Sequence, residues 1–565
     1  MENNNISLET NNLPKELFKK SKIDAETLHD QAFETKPISF LKGALMRFAK
    51  NKASIVASVI IAVIILYAII VPFASPKAHV NTTDYPTGFY DANFSYALPY
   101  NPMFKGSGFW DGTEVKTGQT EDDYEKYKLT DSNHQPLVAV TGIKEDKVGS
   151  SSIKMYSLRI DSYAIGNKVV YVSQSQYEKL VSYEKEQGIY KTKNSIMKSL
   201  VDVAAYISQY KDQMAQDLAH KSYAELTAAE TSIKTTIDNV TDFMNNYYNQ
   251  NSDIYYKLSA KTSSGSYTQT GSPSIVYGSD GTPETIYKKD TEGNDVYFEY
   301  ANGRYTLRVD YFDYFTFKNG FEPYYFFGAN GSGQDIFLRL ATGTRFSLLL
   351  GVGISLINIL IGVIWGSVSG YYGGKVDLIM ERFTDIISAI PSIIILTVCS
   401  VQFTNNLALK ATFGDTGVYV LAFLVAFVYS GWVGVAGTTR MQFYRFKGQE
   451  YVLASRTLGA KDGRLIFKHI LPNAIGTLVT SSVLMIPSVI FSESSLSYLG
   501  IINFTTSGLS SIGSLLEEGQ NAGLQAHPHM LLFPCIIISL LMICFNLFGN
   551  GLRDAFNTSL KGSEE

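Results

Sequence analysis

Glu450–Ala474, EYVLASRTLGAKDGRLIFKHILPNA, is the stretch from which the rest of the chain is best read. Good helix formers from Tyr451 to Leu458 predict a short helix. Gly459 is placed to take the left-handed conformation that ends such a helix. A second short helix is expected over Asp462–Ile470, leading to Pro472 and back into apolar sequence. The segment is basic, with Arg456, Lys461, Arg464 and Lys468, and long apolar runs flank it on both sides. A short basic loop between such runs reads as a cytoplasmic loop of a membrane protein. A helix–glycine–helix elbow on a membrane face is a shape for passing force to a soluble partner. The plainer alternative is an amphipathic surface loop, and the glycine, the basic positions and the HILPN ending together argue against it.

The chain has 565 residues, too many for one simple domain. It is 45% hydrophobic and 18% charged, with the apolar residues gathered into runs. A net charge of -4 gives no footprint for nucleic acid. Cys399, Cys535 and Cys544 all fall inside apolar runs and have neither metal nor disulfide spacing.

Ala53–Phe73 carries no charge and is long enough to cross a bilayer, which takes about 20 residues. Its apolar core is too long for a cleaved signal peptide, and a largely polar stretch precedes it, so an uncleaved anchor is expected. Five more runs follow: Phe346–Tyr371, Phe383–Val401, Val418–Val435, Ala474–Leu499 and Leu531–Leu547. Before the first run lie Lys36, Lys42, Arg47, Lys50 and Lys52; the Thr438–Asn473 loop holds Arg440, Arg445, Lys447, Arg456, Lys461, Arg464 and Lys468. The opposite loops carry only Lys410 in one and no Lys or Arg in the other, Gly500–Met530. Positive charge marks the cytoplasmic side, so six spans with both termini and the basic loop in the cytoplasm satisfy the bias. The expected organisation is a cytoplasmic tail (1–52), a first span (53–73), an extracytoplasmic insertion (76–325), a five-span unit (327–557) holding the basic loop (438–473), and a cytoplasmic tail (558–565).

The insertion is long enough for its own core. Pro136–Ser173 is strand-rich in LVAVTGI, SSIKMYSLRI and KVVYVS. Gln174–Asn249 is expected to be helical, with Ile196, Leu200, Val203, Ala204 and Ile207 at helix spacing. Thr285–Phe317 returns to strands, with Asn302-Gly303 as a tight hairpin turn. The expectation is one α+β domain, with insertion of its helical part within the sheet left open. HExxH and Walker A motifs are absent, and GYYGGK at Gly370–Lys375 lacks phosphate-loop spacing. The many tyrosines read first as strand-face packing. A peptide groove, a docking site for a binding protein and a shield over a translocation mouth stay open.

Within the elbow, Ala454, Ser455 and Gly459 are small enough for close helix docking. Arg456, Lys461 and Arg464 suit acidic groups on a partner or anionic lipid headgroups; for Lys461 and Lys468, simple obedience to the positive-inside rule is an even alternative. Glu493 is an ionisable residue in the fifth span and so a functional candidate. At about 1.5 Å per residue it sits roughly 29 Å beyond Ala474, near the outer interface, where it is either hydrated or caps a loop, in a structural or gating role. Arg382 and Asp385 are expected to form an ion pair between helices. Pro391, Pro487 and Pro534 lie within spans, where they kink rocking helices or pack in a static bundle. His527 and His529 form a metal-capable pair without a third ligand and are better read as exposed loop residues.

The Glu450–Ala474 segment closely resembles the EAA loop of importer-type ABC transporter permeases of the dipeptide/oligopeptide branch. Further blocks follow the family order. FGANGSGQDIFLRLATGTRFSL keeps Gly328, Gly333, Asp335, Arg339, Gly343, Arg345 and Ser347, and GYYGGKVDLIMERFTDIISAIPS keeps Gly370, Tyr371, Gly373, Gly374, Asp377, Arg382, Asp385 and Pro391. SESSLSYLG (492–500) and FNLFGNGLRDAF (545–556) complete the match. The resemblance, to the C-type subunit, is loose over the first span and strong from Phe327 to Asn557. The chain departs from the family in three places: Leu453 and Ser455 replace the Glu and the last Ala of the EAA motif, INFTTSGLSSIG replaces a proline-rich stretch, and the insertion is absent from short members.

The resemblance implies a mostly α membrane protein with six transmembrane helices of the type I ABC importer fold, to which the sequence pattern adds a large α+β extracytoplasmic domain between spans one and two. It implies no chemistry and no cofactor in this chain, ATP and Mg2+ being bound by partner subunits. The implied partners are a second permease subunit, two ATP-binding subunits and an extracellular substrate-binding lipoprotein, in a lipid membrane and without nucleic acid. Ala454, Ser455, Arg456, Gly459, Ala460, Lys461, Arg464, Leu471 and Pro472 would form the ATPase-coupling loop. Glu493, Asp385, Arg382, Pro391 and Pro487 would serve gating or structure. Short peptides are the implied substrate, with nickel or another small solute as the alternative. A membrane-anchored ligand-sensing protein is the other class; an efflux or extraction subunit is disfavoured by an EAA-type loop between spans four and five. The implied location is a bacterial cell membrane, and the insertion suggests an exposed outer face, as in Gram-positive cells.

Overall fold

A helix not anticipated from the sequence, α1 (Phe40–Lys50), leads into the first apolar helix, α2 (Lys52–Ala74). The computed structural model describes residues 40–74, 92–121, 123–124, 138–148, 151–202, 287–502 and 510–556. Phe48 of α1 meets Phe548 edge-on at 5.4 Å, so α1 lies against the last helix of the chain. On α2, Ser54, Ala57, Ile61, Ile64 and Ala68 are buried and form one helical stripe. Val59, Val63, Leu66 and Ile70 are exposed. A helix apolar all round, with one covered stripe, suits a hydrocarbon surrounding.

The part of the chain between α2 and the later helices contains two antiparallel sheets. β1 (Thr113–Gln119), β2 (Val138–Val148) and β3 (Ser151–Asp161) form the first, in the order β1-β3-β2. The second holds β4 (Asn167–Val172), then, after α3 (Gln174–Glu186), β5 (Met197–Lys198), β6 (Phe298–Ala301) and β7 (Arg304–Asp310). β7 is the central strand, pairing with β4, β5 and β6. Asn302 (φ 53°) and Gly303 (φ 78°) turn β6 into β7 with the two positive dihedrals a two-residue hairpin demands.

Two expectations fail here. The helix does not run through Ile196 and Leu200, because α3 ends at Gln187 before Gly188 in the left-handed region. The Glu184 carboxylate then accepts the Met197 N–H at 2.7 Å and the Ser195 hydroxyl at 2.8 Å, pinning this segment where β5 pairs with β7. Val203, Ala204 and Ile207 lie outside the described residues. The second failure is Tyr311–Asn319, which is a helix, α4, not a strand. Asp310 caps its start and Gly320 (φ 77°) its end, and these local terms override the β-favouring aromatics. Tyr163 and Tyr325 are buried in an aromatic core with Phe94, Phe312 and Phe315.

The remainder is helical: α5 (Ile336–Tyr372), α6 (Gly374–Ala389), α7 (Ser392–Thr404), α8 (Leu407–Phe446), α9 (Glu450–Thr457), α10 (Asp462–Tyr498), α11 (Ile512–Ala522) and α12 (Pro528–Phe556). Among the described residues, five helices are long and apolar enough to cross a membrane: α2, α5, the Gly417–Phe446 part of α8, α10 and α12. The expected span Phe383–Val401 falls on the pair α6 and α7, which is bent by 66°. Pro391 stands at the break as the N-cap of α7, and Ile390 before it is extended (φ −94°, ψ 116°). The proline ring excludes its predecessor from helical geometry.

α5 and α8 approach closely along Gly362, Gly366 and Gly370, spaced four apart. A Cβ on Gly362 would lie 2.7 Å from the Trp432 carbonyl, and one on Gly370 2.8 Å from that of Arg440. Small residues on one ridge let two membrane helices touch backbone to backbone.

Candidate functional site

α9 ends in a Schellman motif. The Gly459 N–H bonds Arg456 O at 3.0 Å and the Ala460 N–H bonds Ser455 O at 3.1 Å, while Gly459 takes φ 83°. Nothing lies within 4 Å of where a Gly459 Cβ would be, so the backbone conformation alone calls for glycine. Val452, Leu465 and Ile470 are fully buried against Tyr371 and Phe443, the ends of α5 and α8. The elbow is therefore seated on the bundle by its inner face.

Its second arm differs from expectation. Asp462–Ile470 is not a separate helix, because the chain runs on helically from Asp462 to Tyr498. Leu465–Ile470 is a π turn, in which the Leu471 N–H reaches back to Ile466 O. The wider turn precedes Pro472, which lacks an N–H and whose ring crowds the carbonyl four residues earlier. The helix continues past the proline at the cost of one irregular turn.

Hydrogen bonds hold the elbow to the end of α5. The Tyr371 hydroxyl donates to Asp462 Oδ1 at 2.6 Å. Arg456 Nη2 donates to the same hydroxyl at 3.2 Å, with its guanidinium 5.6 Å from the ring centroid. Arg456 is exposed and also engages Tyr371 within the chain. Lys461 and Arg464 are exposed, and neither has an ion-pair partner among the described residues.

A second cluster bolts the α5–α6 turn to α8. Arg440 grips Asp377 through Nε and Nη2, each at 2.6 Å, and Tyr444 donates to the same carboxylate at 2.8 Å. The Ser369 hydroxyl also donates to Asp377. Lys447 Nζ donates to Gly370 O at 2.9 Å. A bidentate Arg–carboxylate pair is both strong and geometrically specific. Arg382 and Asp385, expected to pair between helices, instead pair at 2.9 Å on one exposed face of α6, three residues apart. Nothing in the sequence singles out Arg440 as a partner of Asp377, since 63 residues separate them.

The elbow's outward face is apolar at its tip. Leu458 is 88% exposed, and Leu453 and Ala454 are exposed beside it. Leu458 lies six residues after buried Val452, about 240° around the helix at 3.6 residues per turn, so it points away from the bundle. The sequence carries that signal once Val452 is recognised as the anchor.

At the opposite end of the bundle, Asp335 caps α5 by accepting the Phe337 N–H at 2.8 Å. Arg339 forms a bidentate pair with Glu518 at 2.5 and 2.7 Å, and Asn330 donates to Glu518 at 3.0 Å. Glu493 is not hydrated: it is 1% exposed and accepts the hydroxyls of Ser347 at 3.0 Å and Ser497 at 3.2 Å. Ser347 Oγ in turn accepts the Ile512 N–H at 3.2 Å, tying Glu493 to the start of α11. Gly513 allows that approach, since a Cβ there would sit 2.9 Å from Glu493 Oε1. His529 is buried rather than exposed, with Nε2 3.3 Å from Ala329 O, and His527 stacks on Tyr96 at 3.9 Å. Pro487 and Pro534 are buried within α10 and α12.

Residues 359–562 match a family profile described as the binding-protein-dependent transport system inner membrane component. Residues 39–93 match the N-terminal TM domain of oligopeptide transport permease C. The oligopeptide transport system permease protein OppC of Bacillus subtilis is 40% identical over 237 residues, which is 42% of this chain and 72% of that protein. The dipeptide transport system permease protein DppC of the same organism is 38% identical, over 42% of this chain and 69% of that one. OppC of Haemophilus influenzae is 36% identical, over 42% and 71%.

Proposed function

Because the chain belongs to the family of C-type permease subunits of oligopeptide and dipeptide ABC importers, we propose that it forms one half of a peptide translocation pathway and is driven through the α9–α10 elbow. It is a transport subunit and not an enzyme. In this reading the chain crosses the membrane six times, the bent pair α6–α7 counting as one crossing, with both termini and the elbow in the cytoplasm. The sheets between α2 and α5 then lie outside the cytoplasm. A second permease subunit completes the pathway, two ATP-binding subunits hold ATP and Mg2+, and an extracellular binding lipoprotein delivers short peptides. The chain itself needs no cofactor.

One observation carries the coupling assignment: the elbow is rigid behind and apolar in front. Its inner face is buried and hydrogen-bonded to α5, while Leu458 projects from the tip beside Lys461 and Arg464. An exposed apolar side chain followed by exposed cations three and six residues on suits a groove with an acidic rim on a soluble subunit. Motion of that groove would pass through Asp462 and Tyr371 into α5 and α10.

The test is uptake of labelled short peptides by cells lacking this chain, complemented with the native chain or with Leu458→Asp. The native chain should restore uptake, and the variant should reach the membrane in normal amount yet fail to restore it. Normal uptake with Leu458→Asp removes the elbow from coupling. Unchanged uptake on deleting the chain, in a strain with no other peptide permease, overturns the peptide assignment and moves small-solute import or ligand sensing ahead.

A further inference from the structure

The loop Asn101–Trp110, NPMFKGSGFW, precedes β1 and packs through Trp110 against Phe326 and Phe533 of the helical part. Met103 is 87% and Phe109 65% exposed, with Phe104 partly exposed between them. Three large apolar side chains in one short loop are an unusual thing to offer to water. Gly106 (φ 79°) and Gly108 (φ 77°) fold the loop back on itself, bringing the Phe104 and Phe109 rings to 5.7 Å.

Trp110 fixes where this tip lies. Its ring centroid is 4.9 Å from that of Phe326 and 5.8 Å from that of Phe533, and its indole N–H donates to Phe326 O at 2.5 Å. Phe533 sits in the second turn of α12, about 8 Å along from the start of that helix at 1.5 Å per residue. The loop tip is therefore level with the outermost turns of the helices that cross the membrane. Leu532, beside Phe533 on α12, is also exposed, so apolar surface of that helix reaches the turn on which Trp110 packs.

We propose that the Met103–Phe109 tip inserts into the headgroup–acyl boundary of the bilayer and anchors the external domain to the lipid surface. Aromatic and long apolar side chains favour this depth. Lys105, exposed at the centre of the tip, is placed to meet lipid phosphate. Lipid is the occupant because the loop is packed through Trp110 onto the outer turns of α12, a helix long and apolar enough to cross a membrane. The proposal goes beyond the transport assignment and does not depend on the cargo.

The test uses single cysteines at Met103→Cys, Phe109→Cys and, as a reference on α3, Glu186→Cys, with the three native cysteines replaced. The full chain, carrying a nitroxide at one of these sites, is reconstituted in phosphatidylglycerol–phosphatidylcholine vesicles. Collision with oxygen is then compared with collision with a water-soluble nickel chelate. The oxygen-to-chelate ratio at 103 and 109 should exceed that at 186 by several-fold. A ratio equal to that at 186 overturns the proposal, and so does protection from both reagents, which is the signature of protein contact. Should the cysteine-free chain fail to fold, Trp365→Phe/Trp432→Phe leaves Trp110 as the sole indole. Quenching by lipid brominated near the headgroup end of the acyl chain is then expected, and no quenching by brominated lipid overturns the proposal.

Discussion

Tyr371, at the end of α5, donates its hydroxyl to Asp462, the first residue of α10, across 2.6 Å. This bond joins the elbow-side ends of two apolar helices and lies directly behind the elbow. Removing the hydroxyl in Tyr371→Phe leaves Asp462 exposed enough to hydrate, so the stability cost is small, about 1 kcal/mol. The expected effect is on coupling: ATP hydrolysis by the assembled transporter persists while labelled-peptide uptake per ATP falls several-fold. Uptake and hydrolysis falling in proportion would show that the bond only holds the fold.

Gly459 and Leu458 separate shape from contact. Gly459→Ala meets no neighbour but must hold φ 83°, costing about 1 kcal/mol and loosening the elbow. Leu458→Asp strains nothing, because the side chain is in solvent. Co-purification of the ATP-binding subunits should drop sharply for Leu458→Asp and modestly for Gly459→Ala. The reverse order would mean that the elbow is recognised by its backbone and not by its tip.

Gly366 touches α8, whereas a Cβ added to Gly353 on the same helix would have nothing within 4 Å. A Cβ on Gly366 would meet Thr439 Cβ at 2.7 Å. Gly366→Leu should therefore force the helices apart, at about 1–3 kcal/mol or more for overpacking, and lower the amount of folded chain in membranes. Gly353→Leu should leave that amount unchanged. Equal yields of the two variants would argue against a close α5–α8 seam.

Glu184 gives a pH dependence in the sheet-containing part between α2 and α5. Burial raises its carboxyl above the ordinary range, and its Oε2 has no hydrogen-bond partner. The folded state therefore holds the proton more tightly than the unfolded state. The contribution of this group is most favourable below its unfolded pKa and is lost as pH rises through the raised folded value. Glu184→Gln keeps an acceptor for Met197 and Ser195 and removes the charge. Thermal melts of the full chain should show the variant gaining on the native protein between pH 4 and pH 8, a window set at about the reference carboxylate value and above it. A constant difference across that range would mean that the carboxylate is solvated.

How much of this is legible in the sequence follows from the range of the forces involved. The elbow, the Asn302-Gly303 hairpin and the apolar helices depend on terms within one or two turns of chain: helix propensity, a glycine able to take positive φ, and unbroken hydrophobicity. Pro391 stands out in the sequence, but a kink understates its consequence, since the residue before it leaves the helix and the span breaks by 66°. The segment around Ile196 and Leu200 shows the limit of periodicity. Its spacing is helical, yet a buried carboxylate claims the Met197 N–H, and the strand so placed pairs with residues more than a hundred positions away.

Local chemistry written along the chain thus accounts for where the helices lie, which way the elbow turns and why Gly459 must be glycine. Packing accounts for the rest. Arg456, though exposed, lies against the Tyr371 ring and donates to its hydroxyl. Asp377 meets Arg440, 63 residues away, and Arg339 meets Glu518, 179 residues away. In an apolar surrounding each charge must find a partner wherever the fold brings one close, and no spacing along a single segment encodes that choice.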